Sequence, residues 1–228
     1  ELCRAANPGM TTQELDHLAG MMIGNTGGKS AFLGYRGFPG QVCISVNDEV
    51  VHGIGCPHRT IQFRDLVSID VGVTLNGFIG DTARTVCVGA PPTAAAAQLL
   101  AATEESLRKG IAVAKAGNCV NDISKAVEAV IHRAGLSVVR DFVGHGCGCE
   151  LHEPPEVPNF AQAHNGPKLR PGMVLAIEPM VNTGTHRVKV DSDGWTVRTA
   201  DGGLSAHFEH MILITEREPE ILTWPKTA

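Results

Sequence analysis

Several things are scarce or missing in this sequence. No block of Lys and Arg occurs anywhere: 19 basic residues face 24 acidic ones, giving a net charge of −5 and a pI near 6.1. A nucleic-acid-binding surface as the main business is thereby excluded, because such surfaces cluster positive charge against phosphates. No apolar run approaches the ~20 residues of a membrane span, and no secretory signal pattern is visible. Linkers are absent, and the only low-complexity stretch is four alanines at 94–97. The seven cysteines are an odd number without tight framework spacing. That pattern reads as reduced thiols in a cytoplasmic protein rather than as a disulfide scaffold. The chain opens on Glu1 rather than Met and soon enters helix, so a preceding segment is expected.

What is present is ordinary globular composition, 43% hydrophobic and 19% charged, with 26 glycines. The length suits one domain over 1–228 with a sizeable core. Thr11 and Glu14 fit a capping box that opens a helix through about Ile23. Residues 24–40 read as loop. Short strands are expected over 42–46 and 50–54. Strands over 66–75 and 78–88 flank Asn76-Gly77, the strongest short hairpin signal. Helices follow over 93–116 and 120–134. Further strands are expected over 138–143, 173–181 and 206–215.

A faint internal repeat runs through the chain. The segment from Gly9 to Leu15 resembles that from Gly117 to Ile123, an offset of 108 residues. The same offset carries Leu66-Val67-Ser68-Ile69-Asp70 onto Val174-Leu175-Ala176-Ile177-Glu178. Two halves facing each other across a pseudo-two-fold axis would bring Asp70 and Glu178 together.

The acids carry the chemical signal. Asp70, Asp81, Glu178 and Glu209 all sit in strands that read as buried. With Asn76-Gly77 as the turn, 70 pairs with 83, so Asp81 shares a face with Asp70 and lies diagonal to it, within reach of one ion. Four buried carboxylates repel one another and cannot stay ionised alone. The nearby bases Arg84, Arg187 and Lys189 are too few to neutralise them. Two divalent ions with shared carboxylates answer that charge better than one. His52, His145 and His152 stand next to glycine or proline turns and are candidates for ligand and proton-transfer roles. His145, Cys147 and Cys149 alternate, which leaves a zinc half-site as an alternative, although no second ligand pair follows. His207 shares a strand face with Glu209 and is a candidate partner of the ligands rather than a ligand.

These residues, taken as the runs 42–54, 69–84, 144–155, 176–181 and 208–210, closely resemble the type I methionine aminopeptidases over essentially the whole chain. The resemblance implies an α+β pita-bread fold, two pseudo-symmetric α/β halves around a curved, mainly antiparallel sheet. It implies a hydrolase that removes the N-terminal methionine of new proteins and favours a small second residue. It implies two metal ions (Co, Mn, Fe or Zn) on Asp70, Asp81, His145, Glu178 and Glu209. His152 would hydrogen-bond the scissile peptide and share catalysis with Glu178, and His52 would touch substrate on the leaving side. Tyr35, Phe38, Cys43, Leu151 and Trp195 would line the methionine pocket. The implied partners are nascent polypeptides, with a transient ribosome contact, no nucleic acid or membrane, and a cytoplasmic monomer. Departures from the family pattern are Gly-Cys-Gly-Cys at 146–149, His207, Phe32, Leu151, Gly72 and a shortened N-terminal helix. Two rivals share the fold. Proline-specific peptidases usually add a large N-terminal domain, and non-catalytic binding modules tend to lose the metal ligands that are intact here.

Overall fold

The computed structural model describes residues 1–224. Asn76 and Gly77 both take positive φ, 52° and 84°, the turn whose twist matches the strands on either side. Strands Leu66–Leu75 and Phe78–Cys87 therefore pair along their full length, Leu75 opposite Phe78 and Asp70 opposite Ala83. Cys43–Val46 pairs with the other edge of Leu66–Leu75, placing Cys43 opposite Asp70. Helix Thr12–Asn25 begins at the expected capping box of Thr11 and Glu14. Its buried Leu15, Ala19 and Ile23 pack on Val42, Ile44, Val67 and Ile69 of this sheet. Each fully buried aliphatic side chain contributes roughly 1.5–3 kcal/mol of transfer free energy, so one helix face suffices to hold the layer.

The second half repeats this plan. Helix Val120–Arg133 starts at a capping box of Cys119 and Asp122, which is the first box carried forward by the repeat offset. An isolated bridge joins Thr11 to Thr60, and its counterpart joins Cys119 to Lys168. Strand Val174–Ile177 pairs with Gly144–Gly146 on one side and His210–Leu213 on the other. Helices Ala94–Val113 and Val120–Arg133 cover it, burying Leu99, Leu107, Ile123 and Val127 against Leu175 and Ile177. Every sheet pairing among the described residues is antiparallel.

Several sequence expectations need correction. The strand expected over 138–143 is only Ser137–Val138; the chain then turns away, with Arg140 lying over the Phe160 ring. Inside the expected loop, Lys29–Ser30 pairs with Leu66–Leu75 and Tyr35–Gly37 forms one 3₁₀ turn. The strand expected over 50–54 is Glu49–Val51, because His52 adopts a left-handed φ of 59°. The two long strands expected near the end are each broken. One divides into Val174–Ile177 and Met180–Asn182, the other into Ser205–His207 and His210–Leu213. The breaks fall at Glu178-Pro179 and Phe208-Glu209, since Pro179 has no N–H to continue the ladder. Glu178 and Glu209 thus lie beside the strands rather than within them.

Candidate active site

The two hairpins meet edge to edge at this break. Glu209 N–H donates to the Ala83 carbonyl at 2.8 Å, and the Thr82 hydroxyl donates to the Glu209 carbonyl at 2.8 Å. Thr85 Oγ1 accepts from the His207 N–H at 2.8 Å. Backbone groups freed from one hairpin are satisfied by the other, which brings all four acids together at the seam.

Gly144–Gly146 adds His145 from above. A side chain at either flanking glycine would run into backbone: the Ala176 carbonyl at 144, the Pro154 and Glu153 carbonyls at 146. Glycine on both sides is what lets the imidazole approach the acids. His145 Nδ1 lies 2.9 Å from the Gly146 carbonyl, and that acceptor fixes the proton on Nδ1. The Nε2 lone pair is left facing the acids, 3.3 Å from Glu178 Oε1 and 4.0 Å from Asp81 Oδ2. Donor atoms of Asp81, His145 and Glu209 lie within 4.8 Å of one another.

No Lys or Arg forms an ion pair with these acids among the described residues. Arg84 points away to Glu104 at 3.5 Å, and Arg198 is engaged by Asp48, Glu49 and Asp191. Burial accordingly pushes the carboxyls of Asp70, Glu178 and Glu209 well above their ordinary range, reinforced by their acidic neighbours. Burial raises Asp81 to about 7. Asp70 Oδ1, Asp81 Oδ1 and Glu209 Oε1 are buried without any hydrogen-bond partner. Buried polar atoms left unpaired are costly and rare, and three converging carboxylate oxygens in that condition fit divalent cations.

A cavity of about 260 Å³ opens beside the acids. Phe32, Phe38, Cys43 and Leu151 form its apolar wall, with Tyr35 and Trp195 packed on them. Phe38 and Trp195 meet edge to face, their centroids 5.2 Å apart. The His152 ring stands 4.3 Å from that of His145, and its Nδ1 is 2.7 Å from the Tyr35 hydroxyl. Burial lowers His152 to about 4, helped by His145, Arg36 and His52. His52 stands nearly perpendicular to both Phe142 at 5.3 Å and Trp195 at 6.3 Å.

Every site residue expected from sequence therefore borders one cavity, Asp70 and His52 included. His207 is also there: its Nε2 is buried without a hydrogen bond, 3.7 Å from Glu178 Oε2, so it attends Glu178 rather than its strand neighbour Glu209. The zinc half-site is not assembled. Cys147 is buried among Ala176, Met211 and Ile79, with its thiol pushed up to about 12 by burial, while Cys149 is exposed. Sequence reasoning missed three supports. Asn159 Nδ2 donates to the Glu178 carbonyl at 3.1 Å. Met211 Sδ accepts from the Asp81 N–H at 2.9 Å. The Tyr35 bond to His152 spans 117 positions. None has a local signal.

The model of metallopeptidase family M24 matches residues 1–216. The chain belongs to metallopeptidase family M24. It is thus a metal-dependent hydrolase of peptide bonds with the pita-bread fold, and its kin are methionine aminopeptidases. It is 49% identical to a methionine aminopeptidase of Clostridium acetobutylicum, over 96% of this chain and 88% of that one. The crystal structure of methionine aminopeptidase from Thermotoga maritima superposes with a TM-score of 0.95 at 42% identity, covering 98% of this chain and 90% of that one. A prolidase from Pyrococcus furiosus shares the fold alone, with a TM-score of 0.76 at 20% identity over 99% of this chain and 59% of that one. No described helix is long and apolar enough to cross a membrane.

Proposed function

We propose that this chain, as one catalytic domain, removes the N-terminal methionine of new proteins and peptides with two divalent ions held by Asp70, Asp81, His145, Glu178 and Glu209. The observation that carries the reading is the set of unpartnered carboxylate oxygens beside an apolar cavity lined by Tyr35, Phe38, Cys43, Leu151 and Trp195. Divalent ions held by these residues would supply Lewis acidity, toward both the attacking water and the scissile carbonyl. Four carboxylates and one imidazole suit Co, Mn, Fe or Zn.

The protein groups divide the remaining work. Glu178 accepts the proton of the attacking water and returns it to the leaving amine. The Tyr35 hydroxyl donates to His152 Nδ1, so the neutral ring keeps its proton on Nε2. From there it donates to the scissile carbonyl oxygen and to the charge that develops on it. His52 contacts the substrate on the leaving side. The apolar wall takes a long, unbranched, polarizable thioether. The site must close around the scissile bond, which favours a small second residue. The partners on this reading are nascent polypeptides in the cytoplasm, met by a monomer in transient contact with the ribosome.

Metal analysis and cleavage of Met-Ala-Ser on one sample test the reading. About two ions per chain and release of free methionine are expected. Equal cleavage of Met-, Lys- and Asp-initiated peptides would sink the methionine assignment. Cleavage that survives complete removal of metal would sink the mechanism.

A further inference from the structure

Gly72 lies in the middle of strand Leu66–Leu75, directly opposite Asp81. Its φ is not positive, so the backbone there does not call for glycine. Glycine also weakens a strand interior, and its presence marks a close approach by something else. Here that something is Phe32. A Cβ built on Gly72 meets three atoms of the Phe32 ring, two of them at 2.9 Å and the third closer still. The ring occupies the space a side chain would fill.

The loop carrying Phe32 has little freedom to move away. The Ala31 N–H donates to the Gly72 carbonyl at 2.9 Å, and Ser30 pairs with Val73. Ser30 Oγ accepts from the Phe32 and Leu33 N–H groups at 3.1 and 3.0 Å and donates to the Gln41 carbonyl at 2.6 Å. Two strand contacts and a hydroxyl clamp therefore fix the backbone on both sides of Phe32. The ring itself is buried and forms part of the apolar cavity wall with Phe38, Cys43 and Leu151. A side chain at residue 72 could not share that space with the ring where it now stands.

We propose that Phe32 and Gly72 form a coupled specificity element. The missing side chain at 72 seats the ring, and the seated ring sets the depth of the side-chain pocket, so that the accepted residue ends at the length of methionine. Gly72 touches no substrate and acts only through the ring. The inference rests on the cavity serving as the methionine side-chain pocket, as proposed above.

The test is a ladder of peptides X-Ala-Ser, where X is norvaline, methionine or the S-propyl homologue of methionine. It is run on the wild type, Phe32→Ala, Gly72→Ala and the double variant. One methylene in an apolar pocket is worth 10–200-fold in kcat/KM. Phe32→Ala should therefore shift preference from methionine toward the S-propyl homologue by at least about tenfold. Gly72→Ala should raise KM for methionine about tenfold where Phe32 is present, and change it less than twofold where Phe32 is Ala. Metal content, measured directly, should stay the same in all four proteins. If Gly72→Ala lowers Tm through the clash, Phe32→Ala should restore it. An unchanged ladder in Phe32→Ala, or an equal Gly72→Ala effect in both backgrounds, overturns the proposal. If Gly72→Ala does not fold even in the double variant, the clash is not with the ring and the coupling is likewise refuted. Failure of the methionine reading looks different: the wild type itself would show no preference among Met-, Lys- and Asp-initiated peptides.

Discussion

The first half of the molecule closes its hairpin with two residues, and the second takes a long detour. Leu66–Leu75 and Phe78–Cys87 run as one unbroken ladder, with Asp70 and Asp81 diagonal across it. In the second half the register continues from Ile177 opposite His210 to Met180 opposite His207. Glu178 and Glu209 therefore stand directly opposite each other, at the break in the ladder. Glu209 is thus the counterpart of Ala83, not of Asp81. The strand that precedes each hairpin differs as well. Ser45 lies opposite Ser68 in the first half, while His145 lies opposite Ala176 in the second. Only the second half contributes an imidazole on that strand, and only its long connection brings a tryptophan to the pocket. The first copy of the plan keeps an unbroken ladder and contributes two acids, while the second breaks its ladder and adds the imidazole and the tryptophan.

If both halves share the ions, losing an acid from either should have the same consequence. Glu209→Gln and Asp81→Asn should each lose bound metal and cut turnover by more than about 10²-fold, beyond the 10–100-fold usual for outer partners of a metal. Metal retention and full activity in Asp81→Asn would reduce the first hairpin to scaffold. His152→Ala should lower kcat by ~10²–10³, the usual loss for one transition-state donor, with metal content unchanged; metal loss would make it a ligand. Trp195→Ala tests the long connection. Cleavage of Met-Ala-Ser should fall about tenfold, an effect the size of one pocket contact, while Tm and metal content hold. A fall in Tm that matched the loss of activity would mean the Trp only packs the hairpin.

The pH response of the metal-free protein compares the two kinds of buried group. Asp81, raised to about 7, and the other three acids, also raised by burial and by one another, hold more protons folded than unfolded. Their stabilisation is present at low pH and is lost as pH rises through the folded values. His207, lowered to about 3, and His152, lowered to about 4, both by burial, act oppositely between those values and 6.5. The two effects oppose below 6.5, and above it only the acids remain. Metal-free protein should therefore lose Tm as pH rises from 6.5 to 8, and added divalent ion should abolish the slope. A flat profile without metal would mean that the acids are already neutralised within the protein. The smallest effect is expected of Cys147→Ser with Cys149→Ser, which should keep metal and most activity. Loss of a tightly held zinc would return the thiols to the site.

Local chemistry made much of this legible. The Asn76-Gly77 turn fixed the first register, and so the diagonal of Asp70 and Asp81, because a two-residue turn allows only one pairing. The capping box at Thr11 marked one helix start, and the repeat offset pointed to the second, where the structure places a box at Cys119. The breaks at Glu178 and Glu209 were hidden by apolar runs that read as continuous strand, even though Pro179 was in plain view. The stretch over 139–143 read as strand for the same reason, and it leaves the sheet after Val138. Phe32 and Gly72 stood out only as departures from a family pattern. Their contact, like the bond from Tyr35 to His152, joins positions that no periodicity relates, so only the folded chain could pair them.

The seam between the hairpins also sets a timetable. Glu209 enters the site through hydrogen bonds to Ala83 and Thr82, strands separated from it by most of the chain. During synthesis the first hairpin can close on its own as soon as it emerges, since its contacts are local. The proposed set of metal donors is complete only once residue 209 has been made and has docked against residues far behind it. An enzyme with this connectivity folds first and is armed afterwards. On the proposed ligand set, ion binding is thus placed late in folding, after the first hairpin has closed.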